Sequence, residues 1–180
     1  MRAQTKALAA ALAFTGLQPA AADSTALVDL EAAEYAIDSD NDGLPDDWET
    51  EGIVLHDGTE LALPDWGVDP NRPDLFLQLN WMEEHNGKSF APSAEALQDI
   101  VDLFDDHGIA LHIDAGETYS NIPNYTEFHG GETVAYSQHY FADQISGVRL
   151  LKDIETYLGD RSNAFRLGII GDQIDRADYT

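Results

Sequence analysis

The chain has 180 residues, with 9 basic against 34 acidic side chains and a formal net charge of −25. Such a field repels phosphate backbones, which argues against a nucleic-acid partner, and it draws divalent cations instead. A hydrophobic share of 43% is ordinary for a folded chain, so disorder is not the source of the acidity.

Residues 1–22 have the build of a bacterial-type signal peptide. Arg2 and Lys6 give a positive start, Ala7 to Leu17 is an apolar run, and Ala20-Ala21-Ala22 offers small residues for cleavage. That run is too short to cross a bilayer, and no later stretch is long enough, so the expected product is secreted with no membrane span. Cysteine is absent, so disulfides do not hold the exported fold together. A cation bound only by the native state is a natural substitute.

A lead segment spans residues 23–73. Within it lies Asp38-Ser-Asp-Asn-Asp-Gly-Leu-Pro-Asp-Asp-Trp-Glu49, which follows the calcium-loop pattern of oxygen ligands at positions 1, 3, 5, 7, 9 and 12 with Gly at 6. The expected metal ligands are Asp38, Asp40, Asp42, the carbonyl of Leu44, Asp46 and Glu49, with Ca2+ as the ion. Pro45 is placed to open a short helix, and Gly52 follows soon after Glu49. Neither flank carries the long amphipathic helix of a paired sensor hand, so an isolated loop is expected. Val54 to Arg72 reads as irregular, punctuated by Gly58, Pro64, Gly67 and Pro70.

From residue 74 the periodicity becomes regular. Leu75-Phe-Leu-Gln-Leu-Asn-Trp81 predicts a strand with Leu75, Leu77, Leu79 and Trp81 on one face. Ser93 is an N-cap for a helix with the stripe Leu97, Ile100, Val101 and Phe104, ending at Gly108. Ile109 to Asp114 predicts a second strand, and a loop rich in Gly, Asn and aromatics runs to Gly131. A second helix is clearest from Val148 to Leu158, closed by Gly159, and Phe165 to Ile170 predicts a third strand. The order β-α-β-α-β implies an α/β domain over residues 74–180 with a mainly parallel sheet. The polar ending Asp172 to Thr180 reads as a loop, so the chain is expected to be the front of a longer protein.

Strand ends supply candidates for chemistry: Asn80, Glu83 and Glu84 after the first, His112 and Asp114 on the second, Asp172 after the third. In open parallel sheets, ligands bind beyond the carboxyl ends, although loops are commonly acidic in a chain this acidic. His129 and His139 flank Glu132 but match no compact zinc spacing. Gly130-Gly131 does not fit a phosphate-cradling turn. Asn124-Tyr-Thr126 fits a glycosylation acceptor, and Trp48, Trp66 and Trp81 are read as packing residues. No catalytic residue and no cofactor-binding residue besides the calcium ligands is assigned.

Three segments together, Asp38 to Glu49, Asp69-Pro-Asn-Arg-Pro-Asp-Leu-Phe-Leu-Gln-Leu-Asn-Trp-Met82 and Gly108-Ile-Ala-Leu-His-Ile-Asp-Ala-Gly116, carry a resemblance. They resemble the N-terminal part of bacterial secreted zinc metalloproteases of the metzincin type. The resemblance implies a calcium loop ahead of a strand-helix-strand core, and a protein or peptide as substrate. The family's zinc helix, His-Glu-x-x-His-x-x-Gly-x-x-His, is absent from these 180 residues. Zn2+ is therefore implied only if such a region exists downstream, and the isolated chain is expected to be inactive. The rival expectation is a non-enzymatic, calcium-dependent extracellular binding or structural module.

Overall fold

The computed structural model describes residues 36–137 and 152–172. The signal segment and the start of the lead (1–35), His139, the opening of the second helix and the ending from 173 lie outside them.

In chain order, helix α1 (Asp46–Glu51) comes first, then the short strands β1 (Ile53–Val54) and β2 (Glu60–Leu61) and a 3-10 turn at Leu63–Trp66. Strand β3 (Asp74–Met82), helix α2 (Ala94–Asp105) and strand β4 (Ala110–Asp114) form a strand-helix-strand unit. Strand β5 (Thr133–Val134), a helical stretch at 152–157, a 3-10 turn at Gly159–Asn163 and strand β6 (Phe165–Ile170) complete it. The segment read as irregular from the sequence thus holds an antiparallel pair, Ile53 opposite Leu61 and Val54 opposite Glu60. With only two residues to a strand, these carry no periodicity to detect.

Strand β3 is the axis of a parallel α/β sheet. It pairs in parallel with β4, β5 and β6. Phe76 lies opposite both His112 and Phe165, and Trp81 opposite both Thr133 and Ile170. Strands β4 and β5 therefore share one edge of β3, and β6 occupies the other. Because parallel strands are covered on both faces, β3 is nearly all inside. On one face Leu79 and Trp81 join Leu97, Leu111 and Ile113 under α2. On the other, Phe76 packs with Leu63, Trp66, Ile122, Leu158 and Phe165.

Helix α2 begins where Ser93 Oγ accepts the Ala96 N–H at 3.1 Å. It stops at Gly108, whose φ of 79° is left-handed, while Ile109 N–H closes back on the Phe104 carbonyl at 3.0 Å. Leu97 is fully buried and Val101 and Phe104 pack beside it, but Ile100 remains 42% exposed. Ile100 sits about 60° around the helix from Leu97, at the margin of the stripe.

The pair Gly130-Gly131 has a structural reason. Gly130 passes so close to β4 that a Cβ built there would fall 1.9 Å from the Asp114 carbonyl oxygen. Gly131, at φ 81°, crosses Ala115 and Gly116 in the same way and donates its N–H to the Leu79 carbonyl at 2.9 Å. Gly130→Ala is expected to cost about 3 kcal/mol, the upper end for forced overpacking, read as a lower urea midpoint at unchanged slope.

Candidate metal centre

The acidic loop is built to turn its carboxylates inward. Asp38 accepts the N–H groups of Asn41 (2.8 Å) and Gly43 (3.1 Å), and Asp42 Oδ1 accepts that of Leu44 at 2.7 Å. Asn41 (φ 64°) and Gly43 (φ 96°) are both left-handed, and together they fold the loop back on itself. No atom lies within 4 Å of a Cβ built at Gly43, so this glycine is required for its backbone angle and not for space. The Leu44 side chain is 4% exposed and anchors the loop in the core. Helix α1 then runs from Asp46 to Glu51 between the caps Pro45 and Gly52, where the Gly52 N–H bonds the Trp48 carbonyl at 2.8 Å, and it carries Glu49 inward.

Glu49 is 2% exposed, and neither of its carboxylate oxygens has a hydrogen-bond partner. Burial, followed by the charges of Asp42, Asp40, Asp74 and Asp46, pushes its carboxyl up to about 8. Asp40 is also raised, first by burial and then by Asp42, and its Oδ2 likewise has no partner. Oxygens of Asp38, Asp40 and Asp42 lie within 4.8 Å of one another, as do those of Asp42, Glu49 and Asp74. Opposite oxygens on one calcium ion are roughly 5 Å apart, so each set fits the span of one coordination shell, and Asp42 belongs to both. Bare, they would be a cluster of repelling charges with orphaned buried acceptors. A cation resolves both problems, and hard all-oxygen sites suit Ca2+ and Mg2+ better than Zn2+.

Among the residues expected as ligands, Asp38, Asp40 and Asp42 come together in one set, and Asp42 and Glu49 in the other. Asp46 is turned toward Ser39, accepting its N–H at 2.8 Å and its hydroxyl at 2.7 Å. Asp74, the first residue of β3, was not visible as a partner in the loop pattern. It donates its N–H to Asp42 Oδ2 at 2.6 Å, and its Oδ1 lies 2.5 Å from His112 Nε2. The only sequence signal was its place in the run Asp69 to Asp74.

The strand-end candidates do not form one pocket. His112 faces Asp74 at the amino end of the sheet. Asn80 accepts the Glu132 N–H at 3.2 Å. Asp172 accepts from Lys88 Nζ at 2.7 Å and from the Tyr136 hydroxyl at 2.8 Å, while Glu83 accepts the Tyr136 N–H at 3.2 Å. Asp114 is fully buried and accepts from Gly116 N–H, His129 N–H and the Tyr125 hydroxyl, with Arg161 Nη2 3.8 Å away. Arg161, 6% exposed, also donates to Gln78 Oε1 at 2.8 Å and to the Tyr125 hydroxyl at 3.0 Å.

An open cleft of about 380 Å3 beside this network is lined by Glu60, Trp66, Tyr125, Glu127, His129 and Arg161, among others. The hydrogen bonds of Tyr125 and Arg161 are directed into the protein, which makes them supports of the 115–132 loop. Burial lowers the pKa of His129, with the Arg161 charge acting in the same direction.

No helix among the described residues is long and apolar enough to cross a membrane. Comparison of the chain with family models, curated proteins and solved structures finds no match.

Proposed function

We propose that the loop Asp38–Glu49 binds Ca2+ as the structural staple of an exported α/β domain. The observation that carries this reading is Glu49: a carboxylate 2% exposed, with no hydrogen-bond partner, facing three or more other carboxylates. Asp38, Asp40, Asp42 and Glu49 would hold the ion directly, with the Leu44 carbonyl. Asp46, bonded to Ser39, would act through water, as position 9 of such loops often does.

The position of the site favours a structural role over a catalytic one. Asp74 opens the 9-residue strand β3, so the cluster lies roughly 26 Å from that strand's carboxyl end at ~3.3 Å per residue. Ligands of open parallel sheets bind at the carboxyl end. The strand-helix-strand order of β3, α2 and β4 is what supports the further reading of a metallopeptidase-like front part, in which this sheet floors a substrate cleft. No zinc chemistry is assigned to these residues.

Calorimetric titration tests the calcium reading. Wild-type protein is expected to bind one ion per chain, and Asp38→Ala to weaken the affinity about tenfold or more by removing a charged ligand. Absence of binding heat, together with a thermal midpoint that ignores calcium, overturns it.

A further inference from the structure

The carboxylate cluster extends beyond the loop. Asp74 belongs to the sheet, yet one of its oxygens lies within 4.8 Å of oxygens of Asp42 and Glu49. Its side chain is 1% exposed. The loop and the strand meet here by a second route, since the Asp74 N–H bonds Asp42 Oδ2 at 2.6 Å. This hydrogen bond holds the loop against the first residue of the central strand and leaves the two carboxylates close together. That arrangement is costly unless a cation lies between them.

Behind Asp74 stands His112. Its Nε2 meets Asp74 Oδ1 at 2.5 Å, and its ring stacks on Phe76 with centroids 4.4 Å apart and planes 12° apart. A carboxylate can only accept, so the proton on this contact belongs to Nε2. With the ring fixed by Phe76, the direction of the Asp74 carboxylate is fixed as well. Asp74 Oδ2 accepts the Asp69 N–H at 3.2 Å, leaving each oxygen with further lone-pair capacity. Carboxylate ligands are commonly oriented in this way by a hydrogen-bonding neighbour.

We propose that Asp74 is a ligand of the same ion, supplied from the sheet, and that His112 is the positioning residue that holds it. One cation then clamps the acidic loop to the amino end of β3. This deepens the calcium reading and rests on it. The unpartnered oxygens of buried Glu49 are the independent sign that the shared space is meant for a ligand. The geometry also agrees with Asp46 facing Ser39: a carboxylate from the sheet supplies a direct ligand while Asp46 acts through water.

Calcium titration of the full chain by calorimetry, with heteronuclear NMR, tests this. Asp74→Asn is expected to weaken calcium binding about tenfold or more, and Asp42→Asn likewise. His112→Phe keeps the stack on Phe76 but loses the donor, and is expected to weaken binding about tenfold. His112→Gln restores a donor near the Nε2 position and is expected to recover most of that loss, with both His112 variants sharing a similar metal-free thermal midpoint. In wild-type protein, calcium should shift the Asp74 amide and His112 ring signals at the same stoichiometry as the Gly43 amide.

If Asp74→Asn binds like wild type while Asp42→Asn does not, Asp74 is no ligand and the loop reading survives alone. Unmoved Asp74 and His112 signals at saturation overturn the inference without any variant having to fold. Equal losses in His112→Gln and His112→Phe overturn the positioning role. Loss of nothing in either Asp42→Asn or Asp74→Asn removes the calcium reading as well.

Discussion

Replacing Arg161 by Met is expected to destabilise the protein by about 3–5 kcal/mol, the cost of stranding one member of a buried charge pair. Asp114 is fully buried, and Arg161, itself 6% exposed, is the cation beside it, with Nη2 3.8 Å from Oδ2. The guanidinium also lies over the Phe165 ring at 4.3 Å and donates to Gln78 and Tyr125. In the Met variant Asp114 keeps its hydrogen bonds from Gly116, His129 and Tyr125 but loses the only opposing charge described near it, and Gln78 Oε1 loses its donor. Urea unfolding at saturating calcium measures the effect. The double variant Arg161→Met with Asp114→Asn should recover part of the loss, because the unpaired charge is removed with its partner. A cost below ~1 kcal/mol would place Arg161 among ordinary surface substitutions and sink the idea that this pair fixes the 115–132 loop on the sheet.

The pair also shows where the sequence stops being legible. Strand β3 and helix α2 were readable because their apolar residues repeat with the period of their geometry. Gly108 and Ser93 marked the helix ends for local reasons that involve only their own neighbours. Asp38, Asp40, Asp42 and Glu49 were readable because one contiguous loop supplies them. Asp74 meets Asp42 only after the sheet has formed, 32 residues later in sequence, and no local spacing encodes that meeting. Arg161 reaches Gln78 across 83 residues, which is equally silent in a linear pattern. The strand-end residues were candidates only because they share a topological level. Alternation along β4 does place His112 and Asp114 on one face, but the first serves the amino end and the second the loop above.

The buried polar residues of one sheet face therefore divide the labour along the strand. Asp74, Gln78 and Asn80 all lie on the Phe76 side of β3 and are 5%, 0% and 0% exposed. Asp74 is met by His112 and the acidic loop, Gln78 by Arg161 and the His129 carbonyl, Asn80 by the Glu132 N–H. Where loops cover part of a sheet face, their polar groups must be satisfied, and these side chains do so. The acidic loop is the member of that cover with the largest uncompensated charge.

Removal of the ion should therefore expose a pH dependence that its presence hides. In the metal-free fold the Glu49 carboxyl is pushed up from 4.5 to about 8, by burial first and then by Asp42, Asp40, Asp74 and Asp46. The folded state holds this proton more tightly than the unfolded one, so stability rises toward acid and falls as pH increases from 4.5 through about 8. At neutral pH a bound cation replaces the proton, and binding is expected to release about one proton per ion, seen as a buffer-dependent heat in calorimetry. At free calcium near 1,000 times Kd the fold should gain ~4 kcal/mol over the metal-free protein. Glu49→Gln should flatten the metal-free decline across that window, because an amide carries no charge to desolvate, and should abolish most of the gain from calcium. The decisive measurement is urea unfolding of metal-stripped wild type and Glu49→Gln on either side of pH 8. Parallel curves for the two proteins would show that Glu49 does not hold the proton, and with it the case for a cation at its oxygens is lost.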